Sequence, residues 1–173
     1  PQWESLLAQA AISWQQLDGF AIGAGPGSFT AIRVVAATIN GINSILQRPI
    51  YRVDSLAILA LQSEIDGAVW VVDDARVGEA FVGCYQQGRA IHTPILIRWE
   101  MLQSHLDNLP VVCSQPRPDH LHNRWITPDE SRRTAALAQL TQRIHLTNDL
   151  PREIYPDYLQ PTQAERNLQP KPN

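Results

Sequence analysis

A Gly-Pro-Gly-Ser segment at residues 25–28 lies between two apolar stretches and limits the folds that this chain can adopt. Residues 20–23 before it form a short apolar run, which is typical of a buried strand. Residues 31–47 after it carry one charged side chain, Arg33, and are long enough for a helix. Pro49 ends this helix, because proline cannot continue the helical hydrogen bonds. The pattern therefore predicts a strand, a tight turn and a long apolar helix.

The alternation of strand and helix then continues. Residues 50–53 have the composition of a strand, and residues 56–62 that of a helix, which Asp54 or Ser55 can cap. This order favours a layered α/β domain. A helix is also expected near the start of the chain, where four apolar residues recur at helical spacing: Trp3, Leu6, Leu7 and Ala10.

A second unit begins near Gly67. The pattern of apolar and polar residues after Gly67 predicts strands at residues 68–72, 78–86, 95–97 and 111–113. It also predicts helices at 99–106 and 134–144 and an irregular connection at 115–130. We expect an N-terminal lobe at residues 1–66 and a C-terminal lobe at 67–160. Residues 161–173 are polar and rich in proline, which predicts a flexible tail.

Composition narrows the class of partner. The 173 residues carry a formal net charge of −3 with 14 Lys and Arg, which argues against a protein that grips nucleic acid alone. No apolar run approaches the ~20 residues of a membrane span, and residues 1–7 lack the features of a signal peptide. Cys84 and Cys113 form no motif and are expected to be small buried hydrophobes in a reducing cytosol. We therefore expect a cytoplasmic protein with no membrane partner.

The glycine segment has two interpretations. Glycines before a helix let another group come close, and the free N–H groups of a helix start attract anions, so the loop could face a phosphate or nucleotide. Alternatively, it is a tight connection that only glycine can make. No Lys follows Gly27 as in a P-loop, and the spacing differs from the dinucleotide fingerprint. The residues of this anion-site hypothesis are Gly25, Pro26, Gly27, Ser28, Phe29, Thr30 and Arg33, with Ser28 or Thr30 as the helix cap.

Histidines give little support for a metal site. They are His92, His105, His120, His122 and His145, and no two have the i, i+4 spacing of a helical metal pair. His120 and His122 could share one face of a strand, but the neighbouring prolines favour loop positions.

Carboxylates and a serine are the other candidates for chemistry. Asp73, Asp74 and Glu79 could act as acid and base or hold Mg²⁺. They could equally form a polar strand end, with Arg76 pairing one carboxylate. Ser28 would need a neighbouring base to act as a nucleophile, and the sequence provides none. We therefore expect neither catalytic residues nor a metal site.

Residues 25–33, GPGSFTAIR, resemble the signature GPGSFTGLR of the TsaB (YeaZ) family. The resemblance continues through the apolar helix to Pro49 and the Ser55-Leu56 helix start. It resumes in the second unit with Asp74, Arg76 and Glu79, which match a DAR-x-GE pattern. It ends with Tyr158-Leu159-x-Pro161 and Ala164-Glu165-Arg166.

The resemblance implies an α/β fold of the actin-like type (ASKHA, ribonuclease H-like) with two lobes. It implies a non-catalytic partner of TsaD, the enzyme that forms N6-threonylcarbamoyladenosine (t6A) at position 37 of tRNAs reading ANN codons. The ATPase TsaE joins the assembly, homodimers also form, and tRNA is reached only through the complex. No cofactor is implied for this chain, since ATP belongs to the partner subunits. The alternatives are an ATP-dependent phospho- or acyltransferase of the same fold and a peptidase acting on TsaD.

Two departures from the family pattern stand out. Ala31 replaces a glycine of the signature. Family members also begin with a three-stranded meander containing Asp-Thr-Ser, and nothing like it precedes Pro1. We therefore expect an incomplete first lobe, either because the chain is a fragment or because a partner supplies the strands.

The long helix is apolar on more than one side. Five residues at helical spacing are expected to cover the sheet: Ile32, Val35, Ile39, Ile42 and Leu46. Five on another side are expected to meet a protein partner: Val34, Ala37, Thr38, Gly41 and Ile45. The alternative is a helix buried within its own lobe.

Overall fold

A computed structural model describes residues 2–76, 78–145 and 150–155. We call residues 2–62, which carry the two-stranded sheet, the first lobe, and residues 68–145, which carry the five-stranded sheet, the second lobe. The first contains α1 (Gln2–Gln9), β1 (Phe20–Gly25), α2 (Phe29–Leu46), β2 (Ile50–Asp54) and α3 (Ser55–Gln62). The second contains β3 (Ala68–Arg76), β4 (Glu79–Gln86), β5 (Arg89–Arg98), α4 (Leu102–His105), β6 (Val111–Val112), β7 (Trp125–Ile126) and α5 (Arg133–His145). Short 3₁₀ turns lie at Trp14–Gln16, Trp99–Met101 and Glu130–Arg132.

In the first lobe, β1 and β2 form a parallel pair in which Phe20 lies opposite Ile50. Helix α2 packs on this pair through its buried face, which consists of Ile32, Ala36, Ile39 and Asn43. The predicted face is therefore wrong in phase at one position: Val35 is 41% exposed, and Ala36 is buried instead. The buried residues follow the spacing i, i+4, i+7 and i+11, which is that of one face of an α-helix.

The second lobe is a five-stranded mixed sheet in the order β5-β4-β3-β6-β7. Strands β3, β4 and β5 are antiparallel neighbours, whereas β6 and β7 run parallel to β3. One face packs on α3 and α5 through residues such as Leu56, Val71 and Leu140. The other packs on α4 and the following loops through Val72, Leu102, Leu121 and both cysteines. The prediction that Cys84 and Cys113 are buried is confirmed.

Four predicted elements differ from the structure. Strand β3 continues to Arg76 rather than ending at residue 72. Strand β5 covers Arg89–Arg98 rather than residues 95–97. The helix predicted at 99–106 is a 3₁₀ turn followed by the single turn α4. The connection predicted to be irregular contains β7, a two-residue strand beside β6.

Residues 151–155, which we call the C-terminal strap, return to the first lobe. The Ile50 N–H donates to the Pro151 carbonyl at 2.8 Å, so the strap lies along the edge of β2. Ile154 is 1% exposed and packs in the core of β1, β2 and α2. The expected second lobe, residues 67–160, thus includes a segment that belongs to the first-lobe core. The expected tail at 161–173 and the motif residues 158–166 lie outside the described residues.

Helix α2 is also the one described helix long and apolar enough to cross a membrane by length and composition alone. The expectation that no segment reaches this criterion therefore needs correction. Core helices of soluble proteins also reach this length and hydropathy. Here one face of α2 packs on β1, and Asn43 on that face is fully buried.

Candidate functional site

The glycine segment forms a turn between β1 and α2. Gly25 ends β1 with φ of 121°, a backbone conformation that residues other than glycine rarely adopt. The Gly25–Pro26 peptide bond is cis. The Gly25 N–H donates to Ser55 Oγ at 3.2 Å, which ties the loop to the start of α3. A Cβ on Gly23 would lie 3.2 Å from the same oxygen, so β1 and α3 approach closely at this point.

Helix α2 begins at Phe29, two residues before the predicted start. Ser28 occupies the cap position, as predicted, but its side chain makes no capping hydrogen bond. Thr30, the alternative cap, lies inside the helix. The Arg33 guanidinium carbon lies 5.5 Å from the centre of the Phe29 ring, within the range of a cation–π contact.

A cleft of about 610 Å³ brings this loop together with the second lobe. Its polar lining comes from six parts of the chain, which are the glycine loop, α3, β3, the segment after β6, the last 3₁₀ turn and α5: Gly27, Ser28, Ser55, Asp73, Ser114, Glu130, Arg133 and Thr134. Of the residues in the anion-site hypothesis, Pro26, Gly27 and Ser28 line the cleft. The structure therefore places the glycine loop at a concave surface, and the identity of any anion there stays a prediction.

The neighbouring carboxylates Asp73 and Asp74 point in different directions, because successive side chains of a strand alternate. Asp73 lines the cleft, and its burial raises the pKa of its carboxyl group, opposed in part by a backbone hydrogen bond. Asp74 is exposed and accepts from the Arg76 N–H at 3.2 Å and from Trp99 Nε1 at 3.4 Å. Arg76 lies opposite Glu79 in the β3–β4 pair. The motif residues Asp74, Arg76 and Glu79 thus belong to the hairpin end, apart from the cleft.

A hydrogen bond that the sequence did not predict links the two lobes. Tyr85 on β4 donates its hydroxyl to Asp54 Oδ2 at 2.5 Å. Asp54 ends β2, and its Oδ1 caps α3 by accepting from the Leu56 N–H at 2.8 Å. Burial and the Asp54 carboxylate raise the pKa of Tyr85, so this phenol stays protonated. The link passes through Ser55 to Gly25 and holds the loop against the second lobe.

The face of α2 that we predicted as an interface is exposed. Val34 is 59% exposed and Ile45 is 84% exposed, and Ala37, Thr38 and Gly41 are exposed as well. A Cβ on Gly41 would meet nothing within 4 Å, so the described part of this chain gives no packing reason for a mid-helix glycine. We call these five residues the α2 face. Trp3 and Leu6 of α1 are exposed apolar residues as well, and Trp3 lines the cleft together with Val35.

Histidines do not gather at the cleft. His92 and His105 both lie near Trp70, with ring centres 6.3 and 5.6 Å from that of the indole. His120 and His122 are exposed in a loop, and the side chain of His145 lies outside the described part. Within residues 2–76, 78–145 and 150–155, no group of three or more His, Cys, Asp or Glu side chains could hold a metal ion.

Mixed α/β structure with two sheets, together with similarity to solved YeaZ structures, places this chain in the actin-like class of folds. A family model described as TsaD, tRNA N6-adenosine threonylcarbamoyltransferase, matches residues 1–95, more than half of the chain. The chain belongs to this family.

Curated relatives place it on the TsaB side of the family. The tRNA threonylcarbamoyladenosine biosynthesis protein TsaB of Bacillus subtilis is 33% identical over 87 residues, which cover 50% of this chain and 38% of that protein. TsaB of Haemophilus influenzae is 33% identical over 84 residues, covering 47% and 36%. The chain thus spans well under half the length of these relatives.

Solved structures agree with this placement. A Pseudomonas aeruginosa protein described as similar to peptidase YEAZ superposes with a TM-score of 0.72 at 26% identity, covering 92% of this chain and 82% of that one. YeaZ from the same organism gives 0.65 at 27% identity, covering 84% and 75%. The resemblance to the TsaB (YeaZ) family and the actin-like fold are confirmed.

Proposed function

We propose that this chain is a non-catalytic partner subunit of a TsaD-type enzyme, acting in the cytoplasm in the formation of t6A at position 37 of tRNAs that read ANN codons. The names of the TsaB relatives support a role in t6A biosynthesis. The α2 face is the observation that carries the partner role. In this proposal a TsaE-type ATPase joins the assembly, ATP is used by the partner subunits, and homodimers compete for the same face.

The α2 face has the chemistry of a protein interface. It lacks charge, and its large side chains, including Val34 and Ile45, are exposed in the free chain. Trp3 of α1 is also exposed, and aromatic residues are enriched at interfaces. Gly41 and Ala37 are four residues apart, so their small side chains lie on one side of α2 and allow a second helix to approach. A standard interface buries about 800 Å² per partner, which α2 reaches only together with α1.

We assign catalysis to the partner because the described residues of the cleft do not pair a nucleophile with a general base. In the described part of the chain, the Ser28 hydroxyl has no hydrogen bond to a histidine or carboxylate. A general base must lie within hydrogen-bond reach of the nucleophile that it activates. The loop histidines His120 and His122 are exposed and do not line the cleft, which also supports a non-catalytic role.

Substitution of Ala37 by arginine tests the proposal. Ala37→Arg puts a charge into the α2 face and should weaken association with TsaD by about tenfold or more, because an unpaired buried charge costs several kcal/mol. Ala138→Arg, on an exposed position of α5, is the matched control and should bind normally. Association is measured by analytical ultracentrifugation and folding by circular dichroism.

A reconstituted transfer assay tests the catalytic part. The intact protein without TsaD should transfer no threonylcarbamoyl group to tRNA, whereas the complete set of components should. If Ala37→Arg folds and binds TsaD as well as Ala138→Arg does, the α2 face is not part of the interface. Transfer by the intact protein alone would show that it is an enzyme.

A further inference from the structure

The tip of the β4–β5 hairpin is fixed against two helices. Gly88 in this turn has φ of 73°, and a Cβ there would lie 2.9 Å from Leu140 of α5 and 3.0 Å from Leu61 of α3. Any residue other than glycine would therefore have a strained backbone here, and its Cβ would collide with these two leucine side chains. The tip is held in one place relative to α5.

This contact brings together two arginines that are far apart in the sequence. The Gln87 carbonyl accepts a hydrogen bond from Nη1 of Arg143 on α5. Arg89 lies across the hairpin, opposite Gln86 in the strand pairing. A depression of about 400 Å³ lies between them, lined by Gln86, Gln87, Arg89, Ala90, Ile91 and Arg143. We call it the hairpin pocket.

The hairpin pocket is basic in a chain that is acidic overall. Its lining contains no carboxylate, and within the described residues neither Arg89 nor Arg143 forms an ion pair. One hydrogen bond to Gln87 orients the Arg143 guanidinium and leaves its other donors open. The amides of Gln86 and Gln87 add neutral donors beside the two cations.

We propose that the hairpin pocket binds a phosphate oxyanion, supplied by the backbone of an RNA. Guanidinium groups match the oxygens of a phosphate better than any other side chain does. The RNA source rests on the proposed function, whereas the oxyanion chemistry follows from the lining alone. Two arginines provide about two phosphate contacts, so binding by the isolated protein is weak, and its logarithm falls with the logarithm of salt with a slope of about −1.5. Weak RNA binding agrees with the net charge of −3, which argues against high affinity of the isolated chain for nucleic acid.

Fluorescence anisotropy with a labelled single-stranded RNA of mixed sequence tests the proposal, from about 50 to about 200 mM KCl. Arg89→Gln should lower the affinity about two- to fivefold at the lower salt and flatten the slope by about 0.7. Arg143→Gln should do the same, with folding followed by circular dichroism because this residue also holds Gln87. Arg124→Gln is the control, since Arg124 is exposed beside β7, at the opposite edge of the sheet from β5.

Titration with inorganic phosphate, followed by NMR of the arginine side chains, separates the two sources. Phosphate that shifts the signals of Arg89 and Arg143, together with RNA binding that needs Arg89, supports the proposal. Phosphate binding without Arg89-dependent RNA binding would overturn the RNA source. Equal RNA affinity and slope for Arg89→Gln and Arg124→Gln, with no phosphate shifts, would overturn the site itself. Arg89→Gln should still associate with TsaD, so a failure here is distinguishable from a failure at the α2 face.

Discussion

Asn43 joins α2 to the C-terminal strap and provides the sharpest test of the first lobe. It is fully buried, and its Nδ2 donates to the carbonyl of Arg48 at 2.8 Å and to that of Arg152 at 2.7 Å. Its Oδ1 accepts from the Arg48 N–H at 2.8 Å. Asn43→Ala removes all three hydrogen bonds and puts a methyl group in the place of the amide.

The expected loss of stability follows from the backbone groups that lose their partner. A buried group left without a hydrogen bond costs about 1–3 kcal/mol. The Arg48 groups are partly buried, whereas Arg152 is exposed and its carbonyl can turn to water. Alanine also favours a helix more than asparagine does, by about 0.5 kcal/mol. We expect a net loss of about 3 kcal/mol in the free energy of unfolding, and a Tm lower by about 6–12 °C.

Urea unfolding followed by circular dichroism measures this loss. Ser44→Ala is the matched control, because Ser44 is the exposed next residue and its Oγ bonds only to the Gly41 carbonyl. Its effect should stay within about 0.5 kcal/mol. An Asn43→Ala protein that loses less than about 1 kcal/mol would refute the reasoning, since the strap would then not depend on this side chain.

Two further predictions concern ionisation. Burial raises the pKa of the Cys113 thiol to about 12, whereas the thiol of the unfolded chain ionises near pH 9. The free energy of unfolding should therefore fall as the pH rises above 9, because only the unfolded chain loses this proton there. Urea titrations should show a shallower fall for Cys113→Ala up to pH ~10. Burial likewise raises the pKa of Asp73 above the ordinary 3.8, so its contribution to stability is present below that pH and is lost as the carboxyl group ionises. Asp73→Asn should therefore raise the Tm at neutral pH and leave it unchanged near pH ~2, whereas Asp119→Asn, on an exposed loop, should change neither; no gain for Asp73→Asn at neutral pH would contradict the desolvation argument.

The first lobe could be predicted well because its signals are local. The apolar run of β1, the glycines, the stretch of α2 that carries no charge after Arg33, and Pro49 each mark an element or a boundary within a few residues. The α2 face could be predicted for the same reason, since helical periodicity separates two apolar sides. The error at Val35 arose because the pattern alone does not tell which of two apolar neighbours, Val35 or Ala36, points at the sheet.

What could not be predicted depends on contacts between distant parts of the chain. Asn40 bonds both the N–H and the carbonyl of Ile154, 114 residues away, and no local pattern marks this pair. The bond from Tyr85 to Asp54 also joins separate lobes. Strand β5 escaped recognition for another reason: it is an edge strand, largely exposed on both faces, and it contains Pro94, so it lacks the alternation of a half-buried strand.

Several residues weaken the folded chain and are not explained by packing within its described part. Gly41 interrupts α2 with open space around it, which costs about 1 kcal/mol relative to alanine. Ile45 holds a large apolar side chain in water, and Asp73 keeps a carboxylate in a partly buried cleft. Natural sequences break local rules chiefly where function requires it. Gly41 and Ile45 both lie on the α2 face, and Asp73 lies beside the glycine loop. These costs are therefore expected to be offset when other molecules meet the α2 face and the cleft, the places where substitutions should change binding more than stability.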